Sequence, residues 1–282
     1  MLLTKNSDPD HIRPLATREF DQIRRLAYDT FGLDLKDGKQ ELVSARLRRL
    51  VLASGLRNYH DYYRHVVEDR TGAALASMID ALTTNHTSFL REPDHFRFLK
   101  DHVVPKLVNR KWIDIWCAAC STGEEVWTLL FFLEDAFPGL KVRVDASDIS
   151  NRALQTARAG MYAADRVRGL PPRWYQKYLE RGSGKEDGCY TVAPAWRSRV
   201  EFRRINLVEP FSWTRPFPIV FCRNVMIYFD RATQQKVVAG LFASLEPGGY
   251  LFVGHAESLT GVRHGFEYIR PAIYRKPFRG EP

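Results

Sequence analysis

The residues best placed to do chemistry lie where two apolar runs give way to acidic side chains. Trp112 to Cys117 is followed by Ala118-Ala119-Cys120-Ser121-Thr122-Gly123 and then by Glu124-Glu125. Small residues at such a turn let the backbone come close to a ligand before a helix begins. The turn lacks the three glycines of a dinucleotide-pyrophosphate loop, and it sets two carboxylates at a helix start, where a phosphate would be repelled. That argues for a cationic cofactor. The next run, from Val142, ends in Ala146-Ser147-Asp148. A carboxylate at a strand tip can grip both hydroxyls of a ribose. In this order the two features suit S-adenosylmethionine, which carries an ammonium and a sulfonium but no phosphate. The plainer alternatives are that the glutamates only favour the helix macrodipole and that Asp148 only caps the helix after it.

Cys117-x-x-Cys120 imitates a redox motif between a strand and a helix. No thioredoxin-like remainder follows, and no second cysteine or histidine pair has metal-ligand spacing, so no metal site is expected. Four cysteines in 282 residues do not look like a disulfide framework. Reduced thiols in the cytoplasm are the expectation.

These residues need elements that gather them at one end of a sheet, and the chain has that pattern. Short apolar runs alternate with amphipathic ones: strands at Trp112 to Cys117 and Val142 to Asp148, helices at Glu124 to Phe137 and Asn151 to Ala159. Strands follow at Val200 to Asn206, Pro218 to Asn224 and Gly249 to His255, with a helix from Arg231 to Leu245 and a last strand pair near Phe266 to Arg270 and Ala272 to Lys276. Such alternation implies a mostly parallel, doubly wound α/β sheet with ligands at the carboxyl ends of its strands. Before residue 83 the spacing is helical: Phe20, Ile23, Leu26 and Ala27, then Leu42, Ala45, Leu50, Tyr59, Tyr62, Tyr63, Val66 and Val67. The expected organisation is a small all-helical domain over 1–82 and a Rossmann-like domain over 83–282. Glycine turns from Arg181 to Gly188 mark a small β-subdomain insertion near 179–200, in which Tyr190-Thr191-Val192 is read as an edge strand.

At 45% apolar and 27% charged, the composition is that of an ordinary globular protein and excludes disorder and collagen-like repeats. Met1 to Asp10 has only three apolar residues, so no secretory signal is expected, and no run approaches membrane-spanning length. Lysine and arginine outnumber acids 42 to 33, a net +9 that favours acidic partners. Part of that charge is a stripe: Arg46, Arg48 and Arg49 lie on a predicted helix with no acid nearby.

Three blocks carry a longer likeness. Thr83-Thr84-Asn85-His86-Thr87-Ser88-Phe89-Leu90-Arg91-Glu92, Ser121-Thr122-Gly123-Glu124-Glu125 and Phe221-Cys222-Arg223-Asn224-Val225-Met226-Ile227-Tyr228-Phe229 resemble the chemotaxis receptor methyltransferases, the CheR family. The likeness continues through Gly248 to Ser258. It implies methyl esterification of glutamates on the cytoplasmic helices of methyl-accepting chemoreceptors, for adaptation in chemotaxis signalling, with S-adenosylmethionine as donor and S-adenosylhomocysteine as product. Position by position, it assigns Asn85, Thr87, Arg91, Glu125, Asp148, Asn206, Leu207, Arg223, Asn224 and Tyr228 to the cofactor pocket. Arg91 and Tyr228 are nearest the transferring methyl and are the expected catalytic residues. The chain departs from the family at Val126-Trp127, where Pro-Tyr is usual, and at His86 and Leu90.

For the receptor, Arg46, Arg48 and Arg49 are expected to dock on the acidic surface around the methylation sites. The loop with Gly182 and Gly184 resembles that of members which recognise a C-terminal receptor pentapeptide, and Arg197 is available for a carboxylate. A nucleic-acid methyltransferase is the rival enzyme reading, opposed by Val225-Met226-Ile227 after Asn224 and by the lack of aromatics between the arginines. A non-catalytic receptor-binding scaffold is the other rival. Neither nucleic acid nor membrane insertion is expected.

Overall fold

The computed structural model describes residues 12–278; the N-terminal stretch read for a secretory signal lies outside them. The chain divides between Thr84 and Asn85 into two compact units.

The first unit is four helices: α1 (Thr17–Phe31), α2 (Gln40–Ala53), α3 (Tyr59–Glu68) and α4 (Ala73–Leu82). Helix α1 buries Phe20, Ile23, Ala27 and Phe31, one face of a 3.6-residue repeat. The helix α3 starts where the Asn58 side chain accepts the Asp61 N–H at 2.8 Å. In α2 the buried stripe is Val43, Leu47 and Val51, whereas Leu42, one of the residues that marked this helix in the sequence, is 41% exposed. Arg46 is half-buried and closes the end of α4, donating to the Leu82 carbonyl at 2.5 Å and to Thr84 Oγ1 at 2.8 Å. Arg48 and Arg49 are exposed on the same helix.

The second unit begins with α5 (Pro93–Phe98), which runs on through a π turn to Val103. Then come β1 (Ile113–Cys117), α6 (Glu124–Ala136), β2 (Val142–Asp148), α7 (Asn151–Ala159), β3 (Met161–Ala163), α8 (Ala164–Val167) and α9 (Pro172–Tyr178). They are followed by β4 (Leu179–Arg181), β5 (Cys189–Val192), α10 (Pro194–Arg197), β6 (Val200–Arg204), β7 (Phe217–Cys222), α11 (Arg231–Ser244), β8 (Leu245–Val253), β9 (Glu267–Arg270) and β10 (Ile273–Arg275). The large sheet has the order β6-β2-β1-β7-β8-β10-β9. Its first five strands are parallel, and β10 is antiparallel to both β8 and β9. Every residue of β7 is buried, as a strand covered on both faces requires.

The winding reverses between β1 and β7, so the crevice that a doubly wound sheet leaves open lies at the carboxyl ends of these two strands. The main chain is tied there: the Ala118 N–H donates to the Phe221 carbonyl at 2.7 Å and the Cys120 N–H to the Ser147 carbonyl at 2.9 Å. Below the crevice the core is aromatic, with Phe221 stacked on Phe252 at 4.4 Å between centroids. Phe131 of α6 stacks on Tyr178 of α9 at 4.5 Å. Asp135 fixes that pairing by accepting from Trp174 Nε1 at 2.6 Å and the Tyr178 hydroxyl at 2.9 Å.

The small sheet has the order β3-β5-β4. This corrects the expectation for Tyr190-Thr191-Val192: the segment is the central strand, because Met161–Ala163 pairs along one side of it and Leu179–Arg181 along the other. The edges are β3 and β4. The sequence hid β3 because three residues between two helices show no measurable alternation.

Gly123 shows how tightly the loop before α6 is set. It has φ of +95°, and an added Cβ would lie 2.9 Å from Ala157 Cβ and 3.0 Å from the Tyr162 hydroxyl. Gly123→Ala combines backbone strain with overpacking and should destabilise the protein by about 1–3 kcal/mol. Thermal unfolding measures this, and an unchanged melting temperature would show that the loop relaxes freely.

Candidate active site

The carboxyl ends of β1, β2, β6 and β7 lead into the segments that carry Glu125, Asp148, Asn206 with Leu207, and Arg223 with Asn224. Asp148, at the end of β2, takes the Ser121 N–H on Oδ2 at 2.8 Å and the Ser150 N–H on Oδ1 at 2.9 Å. It therefore ties the loop after β1 to the start of α7. The cap of α7 is Ser150, whose side chain accepts the Ala153 N–H at 3.0 Å. Both carboxylate oxygens are thus oriented by backbone N–H groups, and a carboxylate oxygen can accept more than one hydrogen bond. Beyond β6, Leu207 is buried and Asn206 turns its side chain to Glu209 at 2.7 Å and to the Val208 N–H at 3.4 Å.

The two glutamates at the start of α6 face different partners. Glu124 is buried and takes hydrogen bonds from Arg166 and, at 2.7 Å, from Thr122 Oγ1. Glu125 instead meets Arg223 Nη1 at 2.6 Å.

Arg223, just past β7, is 5% exposed and connects more of the site than any other side chain named in the sequence. Besides Glu125 it reaches Glu92 Oε2, at 2.9 Å from Nη2 and 3.3 Å from Nε, and the Arg91 carbonyl at 2.7 Å. Burial works against its charge, but the two carboxylates outweigh burial and raise its pKa further. Burial also pushes the Glu125 carboxyl above the usual range, with Arg223 opposing. For Glu92 burial acts upward as well, but Arg223 and hydrogen bonds from Asn224 and the His255 N–H hold the carboxyl below its usual value.

The segment carrying Asn85, Thr87 and Arg91 is held from several sides. The Thr87 carbonyl accepts from Arg166 at 3.1 Å, the Leu90 N–H donates to Thr128 Oγ1 at 3.2 Å, and Phe89 meets the Tyr162 ring edge-on at 5.1 Å. Arg91 Nη1 donates to the His86 carbonyl at 2.9 Å. In the turn after β8, Glu257 gathers three N–H groups: Gly254 at 2.6 Å, Asn224 at 2.7 Å and Ile227 at 3.3 Å. That fixes the turn leading into Tyr228, which is half-buried in a short 3-10 helix. Burial raises the Glu257 pKa and the N–H donors oppose the rise. Gly254 must be glycine here, since a Cβ would stand 2.4 Å from Asn224 Nδ2.

Backbone strain marks the same place. Of the five non-glycine residues with left-handed φ among the described residues, Leu90, Glu92, Ser121 and Asn224 all belong to these turns. Such strain persists where the surroundings over-determine it, and functional sites are where it collects.

Residues 85–274 match the family model described as CheR methyltransferase, SAM binding domain, and residues 18–83 match CheR methyltransferase, all-alpha domain. The chain belongs to the CheR methyltransferase family. It is 36% identical to a chemotaxis protein methyltransferase of Salmonella typhimurium over 264 residues, covering 92% of this chain and 90% of that one. Similar proteins of the same name occur in Borreliella burgdorferi, at 35% identity over 92% of this chain and 94% of the other, and in Escherichia coli, at 34% over 92% and 91%.

This CheR-family protein is a methyltransferase whose cofactor is S-adenosylmethionine. The donor set fits that cofactor: carboxylates line the ends of β1 and β2, and the strained Ser121 turn brings backbone close to Asp148 where a phosphate site would need glycines and no acid. The departure at Val126-Trp127 lies in the core, since both residues are fully buried and Trp127 Nε1 donates to the Tyr162 hydroxyl at 2.8 Å. Cys117, Cys120 and Cys222 are free and buried, and burial pushes their thiols well above the usual range.

The residues singled out for receptor contact belong to other elements than the strand ends and turns described above. Arg46, Arg48 and Arg49 belong to the helical unit. Gly182 and Gly184 flank the turn between β4 and β5, where the Gly182 N–H donates to the Cys189 carbonyl at 2.9 Å, and Arg197 is half-buried at the end of α10. Four residues of the site went unread in the sequence: Glu92, Arg166, Ser121 and Glu257. Glu92, Ser121 and Glu257 had a signal, since all three fall inside blocks that carried the likeness; Arg166 had none.

Glu257→Ala leaves three inward-facing N–H groups without an acceptor. Each costs about 1–3 kcal/mol when buried and unpaired. The variant should therefore unfold at a markedly lower denaturant midpoint, which a urea titration followed by fluorescence will show. A midpoint equal to wild type would mean that water replaces the carboxylate without cost.

Proposed function

We propose that the protein transfers methyl groups to glutamate side chains on the cytoplasmic helices of chemoreceptors, working in the cytoplasm and resetting receptor output during chemotaxis. The observation that carries this reading is Arg91. Its carbonyl is held by Arg223 at 2.7 Å, while its guanidinium gives a single hydrogen bond among the described residues, to the His86 carbonyl at 2.9 Å. The remaining donors of a planar guanidinium suit a carboxylate above other acceptors. The chemotaxis name shared by the curated relatives supports the same substrate class.

S-adenosylmethionine, when bound, supplies an electrophilic methyl group. A glutamate acceptor is already ionised at neutral pH, so no side chain has to remove a proton. The chain's own residues bind and align. Asp148 grips ribose hydroxyls. Glu125, Arg223, Asn224, Asn85 and Thr87, together with Asn206 and Leu207, would line the pocket that holds the rest of the cofactor. Arg91 orients the acceptor carboxylate and Tyr228 stands at the reacting groups. Holding nucleophile and methyl in line supplies most of what such a displacement needs. Arg48 and Arg49, exposed on α2, offer positive charge to an acidic receptor surface, and the small β-subdomain with Gly182, Gly184 and Arg197 is the surface for a receptor tail.

Incubation with methyl-labelled S-adenosylmethionine and receptor fragments should place base-labile label on glutamate. Label that resists base, or none on any receptor fragment, contradicts this function. Asp148→Ala should weaken S-adenosylhomocysteine binding by about 2 kcal/mol, roughly 30-fold, in titration calorimetry. Arg91→Ala should lower kcat for receptor far more than it changes cofactor affinity; equal loss of both would remove its role at the acceptor. Reversing Arg48 and Arg49 to glutamate should raise KM for receptor several-fold and flatten the salt dependence of the wild-type value. Wild-type kinetics indifferent to salt would assign docking to another surface.

A further inference from the structure

A second cluster shares Glu92 with Arg223. Glu92 stands in the left-handed turn before α5, His95 in the first turn of that helix, and His255 just past the end of β8. Residues 92 and 255 are far apart in sequence, so no spacing rule could join them. The fold brings one ligating atom of each to within 4.8 Å of the others.

We propose that Glu92, His95 and His255 form a binding site for a divalent transition cation of the zinc type. Zinc takes imidazole nitrogen and carboxylate oxygen at about 2.0–2.2 Å in tetrahedral geometry, which puts neighbouring donor atoms roughly 3.4 Å apart. His95 Nδ1 and Glu92 Oε2 are 3.5 Å apart, long for a hydrogen bond and close to one edge of such a tetrahedron.

His95 supplies the independent observation. Its side chain is 1% exposed, and neither ring nitrogen has a hydrogen-bond partner. A buried imidazole with both nitrogens idle is rare in native proteins and calls for a water or an ion that satisfies it. Ring packing does not do so: His95 meets Phe252 and His255 only edge-on, at 5.7 Å and 4.8 Å between centroids.

The other two ligands are prepared for the same role. Glu92 is oriented by Arg223 at 2.9 Å and by Asn224 Nδ2 at 3.2 Å, the outer contacts that metal-binding carboxylates usually have. The His255 backbone N–H is anchored to Glu92 Oε2 at 3.1 Å, while its side chain is exposed and its ring already meets that of His95. Solvent on the His255 side leaves room for water as a fourth ligand. Arg223 shares Glu92 with any such cation, so metal at this site loosens one of the contacts that hold the Arg91 segment. Occupancy should therefore weaken binding of the cofactor rather than assist it.

Zinc titrated into the full chain by calorimetry should bind with one equivalent per chain. His255→Ala, an exposed change, should weaken it by about tenfold or more without altering the melting temperature. His95→Phe should abolish it. Should that variant not fold, cobalt supplies the second readout: the wild type should show the visible absorption of a four-coordinate site, lost in His255→Ala. In a competition titration, zinc should reduce S-adenosylhomocysteine affinity in the wild type and not in His255→Ala. No saturable zinc binding, or zinc affinity unchanged by His255→Ala, overturns the proposal.

Discussion

A buried guanidinium between two carboxylates is the constraint on which the rest of this site depends. Arg223 is almost without solvent, and a lone cation in that position would be expensive to keep charged. Glu92 and Glu125 compensate it from two different elements, and the Arg91 carbonyl accepts one of its four hydrogen bonds. The end of β7, the start of α6 and the turn before α5 are therefore positioned by one side chain. Removing one member would leave the opposite charge uncompensated away from water, which is more costly than replacing the whole group by apolar residues. Interdependence of this kind fixes a geometry.

Around that centre the sheet acts as a platform and backbone staples do the fine positioning. Asp148 joins two loops through their N–H groups, and Glu257 does the same for the turn carrying Asn224 and Tyr228. Left-handed φ at Leu90, Glu92, Ser121 and Asn224 is the conformational cost of bringing these turns together. Arg166 extends the arrangement outward, since it bonds both Glu124 and the Thr87 carbonyl and so ties α8, next to the small β-sheet, to the segment with Asn85 and Arg91. No helix among the described residues is long and apolar enough to cross a membrane.

Much of this was legible from sequence because it rests on local pattern. The helix Asn151–Ala159 and the strand Val142–Asp148 were read to the residue, since period and flanking turns agree there. Asp148 could be placed at a strand tip for the same reason. What could not be read depends on contacts between distant segments. Met161–Ala163 is too short to show alternation, so the neighbouring Tyr190-Thr191-Val192 passed for an edge. Arg46 reads as part of a basic stripe, and only the fold shows that it closes the end of α4. The sequence pairs Glu124 with Glu125; their separate engagement by Arg166 and Arg223 follows from the roughly 100° between consecutive helical residues and from where β7 ends. His95 and His255 meet only through the sheet.

The central claim is that the Arg223 bridge, rather than any single contact to the ligand, sets the shape of the cofactor crevice. Arg223→Lys tests it most directly, because lysine keeps the charge but cannot span Glu92, Glu125 and the Arg91 carbonyl with a planar fork. Calorimetric titration with S-adenosylhomocysteine should show affinity reduced by about tenfold or more in a protein that remains folded, a loss of ~1.4 kcal/mol. Wild-type affinity in the folded lysine variant would contradict the account.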